Sequence, residues 1–435
     1  MRVLLHIISY EWKILWRSNT LKVLLLVVFG TGIYGIYFGK FEVEKQETHM
    51  LQVQQYERQQ FDSLLVWAAL DTSAAEHRQK YQQAVSPAGV GWNKHFTYYL
   101  TNGTPDGAGL CLGQRDLFPV YYGFNVTDLV RQVNTGELAN PMKLLTGNFD
   151  LSYVFVFLFP LLVVALFYNL YAGEKESGML SLLQSQSVSL RMILLGKALL
   201  RLLLIWALAS GLLVLGFVVQ GIPVVGNKEL FSQWLFIVLG FCLLWVIFMG
   251  LIVWFRQRSA LSAMLGLATW LIFTIITPAL LNLVVSASEP LPNRTEMVHV
   301  IRNLNDQIWE NPKSFVWDQF YMENLQGSKV DTTDFNAWYY ASFTLLDKEA
   351  NSLKAAYEGQ LNKRNELLKK WRWLAPAATV HEMLSALSNT DRESHLQFVK
   401  EVYAYHDELK ELYYKRIFEG RMFSVEDLRN LEVRL

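Results

Sequence analysis

Apolar and polar positions along this chain fall into long blocks. Stretches 21–39, 151–172, 198–220, 234–255 and 261–287 are predominantly apolar, and about 20 such residues in a helix cross about 30 Å of hydrocarbon. Five transmembrane helices are predicted. The first is the least apolar, carrying Lys22, Gly30, Gly32 and Gly35, although Tyr34 and Tyr37 suit its outer interface. Trp234, Trp254 and Tyr171 mark other span ends. Residues 1–20 place Arg2, His6, Ser9, Lys13 and Arg17 at helical spacing, with Leu4, Ile7, Ile8, Trp12, Leu15 and Trp16 on another face. That pattern predicts an amphipathic helix in the inner interface, with its apolar side in lipid and Trp12 and Trp16 as anchors. The alternative is a longer first span, which the charges oppose. A cleaved signal peptide is disfavoured, because the apolar run starts late and no Ala-x-Ala site follows.

Flanking charge sets the orientation. Arg2, Lys13, Arg17 and Lys22 precede or open the first span; Lys175, Arg191, Lys197 and Arg201 lie between the second and third or just inside the third; Arg256 and Arg258 occupy the turn 256–260. The link 221–233 holds only Lys228. The positive-inside rule then puts the N-terminus, segment 173–197 and turn 256–260 in the cytoplasm, and 221–233 outside. Two large polar regions, 40–150 and 288–435, become extracytoplasmic domains. Residues 40–86 read as a helix continuing the first span, and 87–147 as loops or short elements rich in Gly, Pro and aromatics. In the second region helices are expected near 296–310, 335–373, 378–387 and 391–419, with Asn389-Thr390-Asp391 capping the last and Pro290, Pro292 and Pro376 as interruptions. Asn102, Asn125 and Asn293 begin matches to the glycosylation acceptor pattern, which are frequent by chance.

Composition narrows the chemistry. The 435 residues are 52% hydrophobic and 18% charged, with zero net charge, which gives no hint of a nucleic-acid partner. Cys111 and Cys242 fall in dissimilar regions, so no disulfide is expected. No GxxxxGK[ST], GxSxG, HExxH or CxxC occurs. His381-Glu382 starts a zinc-protease pattern, but Ser385 stands where its second histidine would be; His395 and His406 read as surface histidines. No catalytic, cofactor-binding or metal-ligating residue is assigned. Asn169, Thr269, Thr274, Thr277 and Asn282 make the spans polar without charge, and Arg201 is close enough to the inner interface to snorkel. Ion-coupled transporters keep an ionisable group near mid-membrane, so energy for any transport is expected from elsewhere.

Glu174-x-Glu176-x-Gly178-x-Leu180, then Arg191 and Leu195-Gly196-Lys197, resembles the ABC-2 type permease family, in which this stretch opens a short helix that docks on an ATPase. Met179 stands where that family has threonine. Gly113-Gln114-Arg115-Asp116-Leu117 with Pro119, Asn140-Pro141, Gly147-Asn148-Phe149-Asp150-Leu151 with Pro160, Thr277-Pro278-Ala279-Leu280-Leu281-Asn282 and Pro290-Leu291-Pro292 resemble the branch carrying a DUF3526 region. The resemblance implies an all-α polytopic membrane protein: an ABC-2 (type V exporter-like) transmembrane domain with two largely helical extracytoplasmic domains. It implies a homodimer or heterodimer of permeases in a bacterial inner membrane, served by two cytoplasmic ABC ATPase subunits that hydrolyse the ATP. It also implies a sixth span. Nothing after Ala287 is apolar enough for one, and truncation is the favoured explanation.

A coupling role follows for 173–197. Glu174 and Glu176 would complement the dipole at the start of a short helix. Gly178 would permit close backbone approach. Leu180 and Leu183 would fill a groove on the ATPase, residues 185–189 would break the helix, and Arg191, Lys197 and Arg201 would anchor the third span at the interface. The leading expectation is an export permease; the alternative is a protein that transmits ATP-driven motion to a periplasmic partner without moving cargo.

Overall fold

The structure, a computed structural model, describes residues 2–92, 96–127, 129, 148–185, 188–255, 258–323 and 330–433. Asn140-Pro141, Gly147, Gln186, Ser187 and Arg256 lie outside the described residues. Five helices are long and apolar enough to cross a membrane, which is the architecture of a largely helical membrane protein.

Helix α1 (Arg2–Arg17) is followed at once by α2 (Asn19–Ala68), whose N-cap Ser18 accepts from Leu21 N at 3.3 Å. At 1.5 Å per residue, α2 is about 75 Å long, so it crosses a bilayer and continues far beyond it. The helix expected after the first span is thus the same helix as far as Ala68. Two of the glycines that weaken this span serve packing: a Cβ on Gly32 would sit 2.6 Å from Leu212 Cδ1 and one on Gly35 2.8 Å from the Asp150 carbonyl oxygen, whereas one on Gly30 would meet nothing.

The second span, α5, starts at Leu151–Tyr153, widens into a π turn at Val154–Leu158 and resumes at Phe159–Phe167. Two short helices, α6 (Ala172–Glu176) and α7 (Met179–Gln184), lead to α8 (Leu190–Val219) and α9 (Lys228–Trp254). The fifth span, α10, runs Ser259–Leu271, a π turn at Ile272–Ile276, then Thr277–Ser288. Each π turn lies just before a proline, Pro160 or Pro278. Proline lacks an N–H and crowds the carbonyl four residues back, and a wider turn accommodates it. Trp270 Nε1 donates to the Phe157 carbonyl at 3.1 Å, joining the spans at the first π turn. Trp234 and Tyr171, expected at interfaces, are instead buried in the bundle core, whereas Trp254 is exposed.

The polar regions do not form two separate domains. From the first come α3 (Ala75–Val85), α4 (Pro87–Trp92) and an antiparallel pair, β1 (Tyr98–Thr101) and β2 (Tyr121–Phe124), with Tyr98 opposite Phe124. From the second come α11 (Arg294–Glu310), α12 (Lys313–Glu323), α13 (Phe335–Trp371), α14 (Pro376–Leu387), α15 (Arg392–Phe418) and α16 (Val425–Val433). One core takes Phe61, Tyr98 and Phe124 from the first region and Tyr340, Phe398 and Tyr413 from the second. Tyr340 Oη donates to the Ala88 carbonyl at 3.1 Å, and Phe423 N to the Val85 carbonyl at 2.8 Å. Loop 107–118 and the α14–α15 junction interlock, with Gln114 N on the Thr390 carbonyl and Thr390 Oγ1 on the Cys111 carbonyl, both at 2.9 Å. Asp391 caps α15, accepting from Ser394 N at 3.2 Å.

Two placements differ from expectation. Helix α14, read as part of an outer domain, buries Ala377 and Leu384 in the bundle core and touches both π turns. At 12 residues it is too short to span, the length expected of a buried or re-entrant helix. His395 and His406, read as surface residues, are buried: His395 stacks on Phe118 with ring centroids 4.1 Å apart, and His406 packs against Phe124. Their helix turns one face into the shared core, with His395, Phe398, Val402, His406, Leu409 and Tyr413 buried along it.

Candidate functional site

The segment singled out by sequence lies where α1, α8 and the linker between the second and third spans converge. Glu11 of α1 is 2% exposed. Its Oε1 accepts from Arg201 Nη2 at 2.8 Å and its Oε2 lies 3.4 Å from Lys197 Nζ. Lys197 also pairs with Glu174 of α6, and Arg201 donates to the Leu166 carbonyl and, at 3.2 Å, to Asn169 Oδ1. Two carboxylates and two cations therefore meet in balance. Lys197 and Arg201 of α8 reach α1, α5 and α6, so four elements are tied at one point.

Arg201 and Lys197 consequently do not act as anchors in lipid headgroups. Both are buried, because Glu11 and Glu174 supply counter-charge that a snorkelling chain would seek at the surface. Arg191 is exposed, as are Trp12 and Trp16, whose rings stack at 5.5 Å on the side of α1 away from the bundle. Gly196 is where α1 rests, since a Cβ there would come 2.8 Å from Ile7 Cγ2.

The glutamates were expected to complement the dipole at the start of a short docking helix. Both bond within the chain, Glu174 half-buried and Glu176 exposed. Glu174 holds α8 through Lys197. Glu176 Oε1 accepts from Ser259 N at 2.8 Å and its Oε2 from Ser259 Oγ at 2.7 Å, so it satisfies a free N–H at the start of the fifth span. The helix that follows, α7, begins beyond Gly178, which takes φ +73°. A Cβ on Gly178 would meet nothing within 4 Å in this chain, and the left-handed backbone there favours glycine. Leu180 and Leu183 are half-buried, Leu180 against the bundle core, whereas Met179 and Leu182 are 45% and 57% exposed. The outward apolar face of α7 is therefore Met179 and Leu182.

Glu11 was missed by the sequence reading. It lies on the stripe Leu4, Ile7, Ile8 and Leu15, the side of α1 that turns inward. A lone carboxylate on an apolar stripe, with Arg201 and Lys197 near the start of an apolar span, is the signal that could have found it. Among the described residues no group of three or more His, Cys, Asp and Glu is placed to hold a metal ion.

A family model described as "Domain of unknown function (DUF3526)" matches residues 294–433. That stretch covers α11 to α16, including the helix that enters the bundle and the helix that carries His395 and His406. No curated protein matches the sequence.

Proposed function

We propose that this chain is the membrane-spanning permease subunit of an ABC-2 type exporter in a bacterial inner membrane. In this reading its N-terminus is cytoplasmic, it pairs with a second permease subunit, and two cytoplasmic ABC ATPase subunits supply the energy. The chain contributes no catalytic residue. The observation that supports the reading best is the anchorage of 172–184. Glu174 ties it to the third span and, through Lys197, to α1; Glu176 ties it to the fifth. Met179 and Leu182 present an apolar face on the turn so anchored. A push delivered to α7 is thereby passed to three elements at once. The sequence resemblance around Glu174, Glu176 and Gly178 points the same way.

The test uses the chain reconstituted with its ATPase. Met179→Asp with Leu182→Asp should remove permease-stimulated ATP hydrolysis while leaving insertion intact. Glu174→Ala with Glu176→Ala should weaken stimulation about tenfold or more, since Glu174 holds a charge-assisted contact of about 1.5–3 kcal/mol and Glu176 caps the fifth span. Unchanged stimulation in both variants would sink the coupling role.

A second reading is favoured by α2. One continuous helix carries the first span into the outer core, so movement of the span is movement of the outer body. The chain would then transmit force to a periplasmic partner without moving cargo. ATP-dependent uptake of an amphipathic cargo into inverted vesicles separates the readings; an outer partner whose release needs ATP while vesicles stay empty would favour transmission.

A further inference from the structure

The outer end of the fifth span forms a groove with α13. Arg364 Nη2 bonds Ser286 Oγ, and Gln360 Nε2 donates to Glu289 Oε2 at 2.7 Å. As residue number rises on α13 it falls on α10, so the helices are antiparallel here. The last turns of α13 therefore descend alongside the fifth span, and Trp371 comes level with the turn after Pro278. Helix α10 has 30 residues, about 45 Å, against about 30 Å of hydrocarbon. Its final ten or so residues must rise through the headgroup layer, and α13 from Gln360 to Trp371 shares that layer.

The side chains suit that depth. Trp371 and Trp373 are 44% and 68% exposed at the lower end of the descent, where interfacial aromatics belong. Above them an open cavity of about 640 Å³ is lined by Lys363, Lys369 and Lys370 together with Glu289, Glu366 and Leu367. Lys369 approaches Glu366 only to 3.8 Å, and Glu289 is engaged by Gln360. Among the described residues neither Lys363 nor Lys370 has an ion-pair or hydrogen-bond partner. Lower on the fifth span, Ile272, Ile275 and Ile276 form an exposed apolar strip.

We propose that this groove binds the headgroup of an anionic phospholipid. The ammonium groups of Lys363, Lys369 and Lys370 take the phosphate, the acyl chains lie along Ile272, Ile275 and Ile276, and Trp371 and Trp373 sit at the glycerol level. An apolar strip surmounted by amines, at the depth where the bilayer places its phosphates, matches a lipid from both ends. The site fixes the height of the outer body on the membrane independently of what the protein transports or transmits.

The test uses the full chain in nanodiscs of phosphatidylcholine with phosphatidylglycerol, and native mass spectrometry of the lipids retained on release. Phosphatidylglycerol should be enriched over phosphatidylcholine. Lys363→Gln, Lys369→Gln and Lys370→Gln should each lower the enrichment about fivefold, while the triple lysine-to-arginine variant retains it. A nitroxide attached to Trp373→Cys should be more accessible to oxygen than to a water-soluble nickel chelate, and one at Asn362→Cys less so. Absence of phosphatidylglycerol enrichment, or its persistence in all three glutamine variants, overturns the proposal. A label at 373 open to the nickel chelate places the groove in water, and one shielded from both reagents places a second protein chain there; either result also overturns it.

Discussion

Where the N-terminal helix meets the bundle, four charged side chains converge on one point; where the two polar regions meet each other, tyrosine hydroxyls, neutral imidazoles and backbone groups make the contacts. Glu11, Glu174, Lys197 and Arg201 hold the first junction. The second rests on pairs such as Tyr98 with Tyr413, on Thr390 with Cys111, and on His395 stacked against Phe118. The two junctions respond differently to loss of one partner. Removing a buried carboxylate strands a buried cation, and the penalty exceeds the worth of the pair. Removing a neutral hydroxyl strands at most one donor or acceptor. The ionic junction is thus all-or-none, and the neutral junction is a graded seam.

The largest expected effect breaks the ionic side. Glu11→Ala leaves Arg201 with carbonyl and amide partners and Lys197 with Glu174 alone. A loss of about 3–5 kcal/mol is expected, read as a marked fall in thermal stability in detergent and as proteolytic release of α1. Arg201→Met in the same chain should restore part of it, because an apolar side chain no longer needs a counter-charge there. Loss of α1 in both variants to the same extent would show that packing on Gly196, and not charge, holds the helix.

Solution pH sharpens the comparison on the neutral side. Burial pushes the imidazole of His395 down to about 4 and that of His406 to about 3, with Arg392 and Lys410 adding to the effect. A depressed folded-state value means that stability is present above the unfolded value near 6.5 and is lost as pH falls toward 4 and 3. At pH 5 each histidine lowers stability by about 2 kcal/mol. Glu57 acts in the opposite sense. Burial raises it to about 7, although Tyr99 N donates to its Oε1 at 2.9 Å. It lies well beyond the membrane-crossing part of α2, beside the core shared by the two polar regions. Its raised value means that stability is gained as pH falls from 7 toward 4.5, by about 2 kcal/mol at pH 5. The outer body should therefore lose about 2 kcal/mol net between pH 7 and 5. Glu57→Gln should expose the full histidine loss of about 4 kcal/mol, and His406→Phe should blunt it. Denaturant unfolding followed at both pH values checks the sum; a flat profile in Glu57→Gln would remove the histidines from the account.

The two junctions were not equally legible in the sequence. Spans are long apolar runs, so the five membrane-length helices could be read directly, and Asp391 as a cap required only its own neighbours. Segment 173–184 stood out through its local spacing, but the partners of its glutamates did not. Which way Glu174 and Glu176 point depends on Lys197 and Ser259, and no periodicity within 173–184 reports that. Leu180 and Leu183 do share a face, yet whether it turns in or out is decided by the bundle beside it. Lys313–Glu323 and Val425–Val433 were missed because their apolar positions serve tertiary contacts such as Trp317 with Phe320 and Leu428 in the shared core. The union of the outer regions was equally hidden. It rests on pairings across some 300 residues, among them Tyr98 with Tyr413.

That tyrosine pair gives the smallest and cleanest test of the graded seam. The two hydroxyls are 2.5 Å apart in a fully buried setting, and burial together with the neighbouring phenol holds Tyr98 well above the usual phenol range, so neither ionises in the working pH range. Tyr98→Phe removes one partner and should cost about 1–2 kcal/mol. Tyr413→Phe should cost a similar amount. The double variant should cost little more than either single one, because the second substitution removes a hydroxyl already stranded. An additive result would mean that each hydroxyl has another partner and that the seam is not closed by this bond. The same cycle on Glu11 and Arg201 should show a coupling several times larger, since there the stranded group carries a charge.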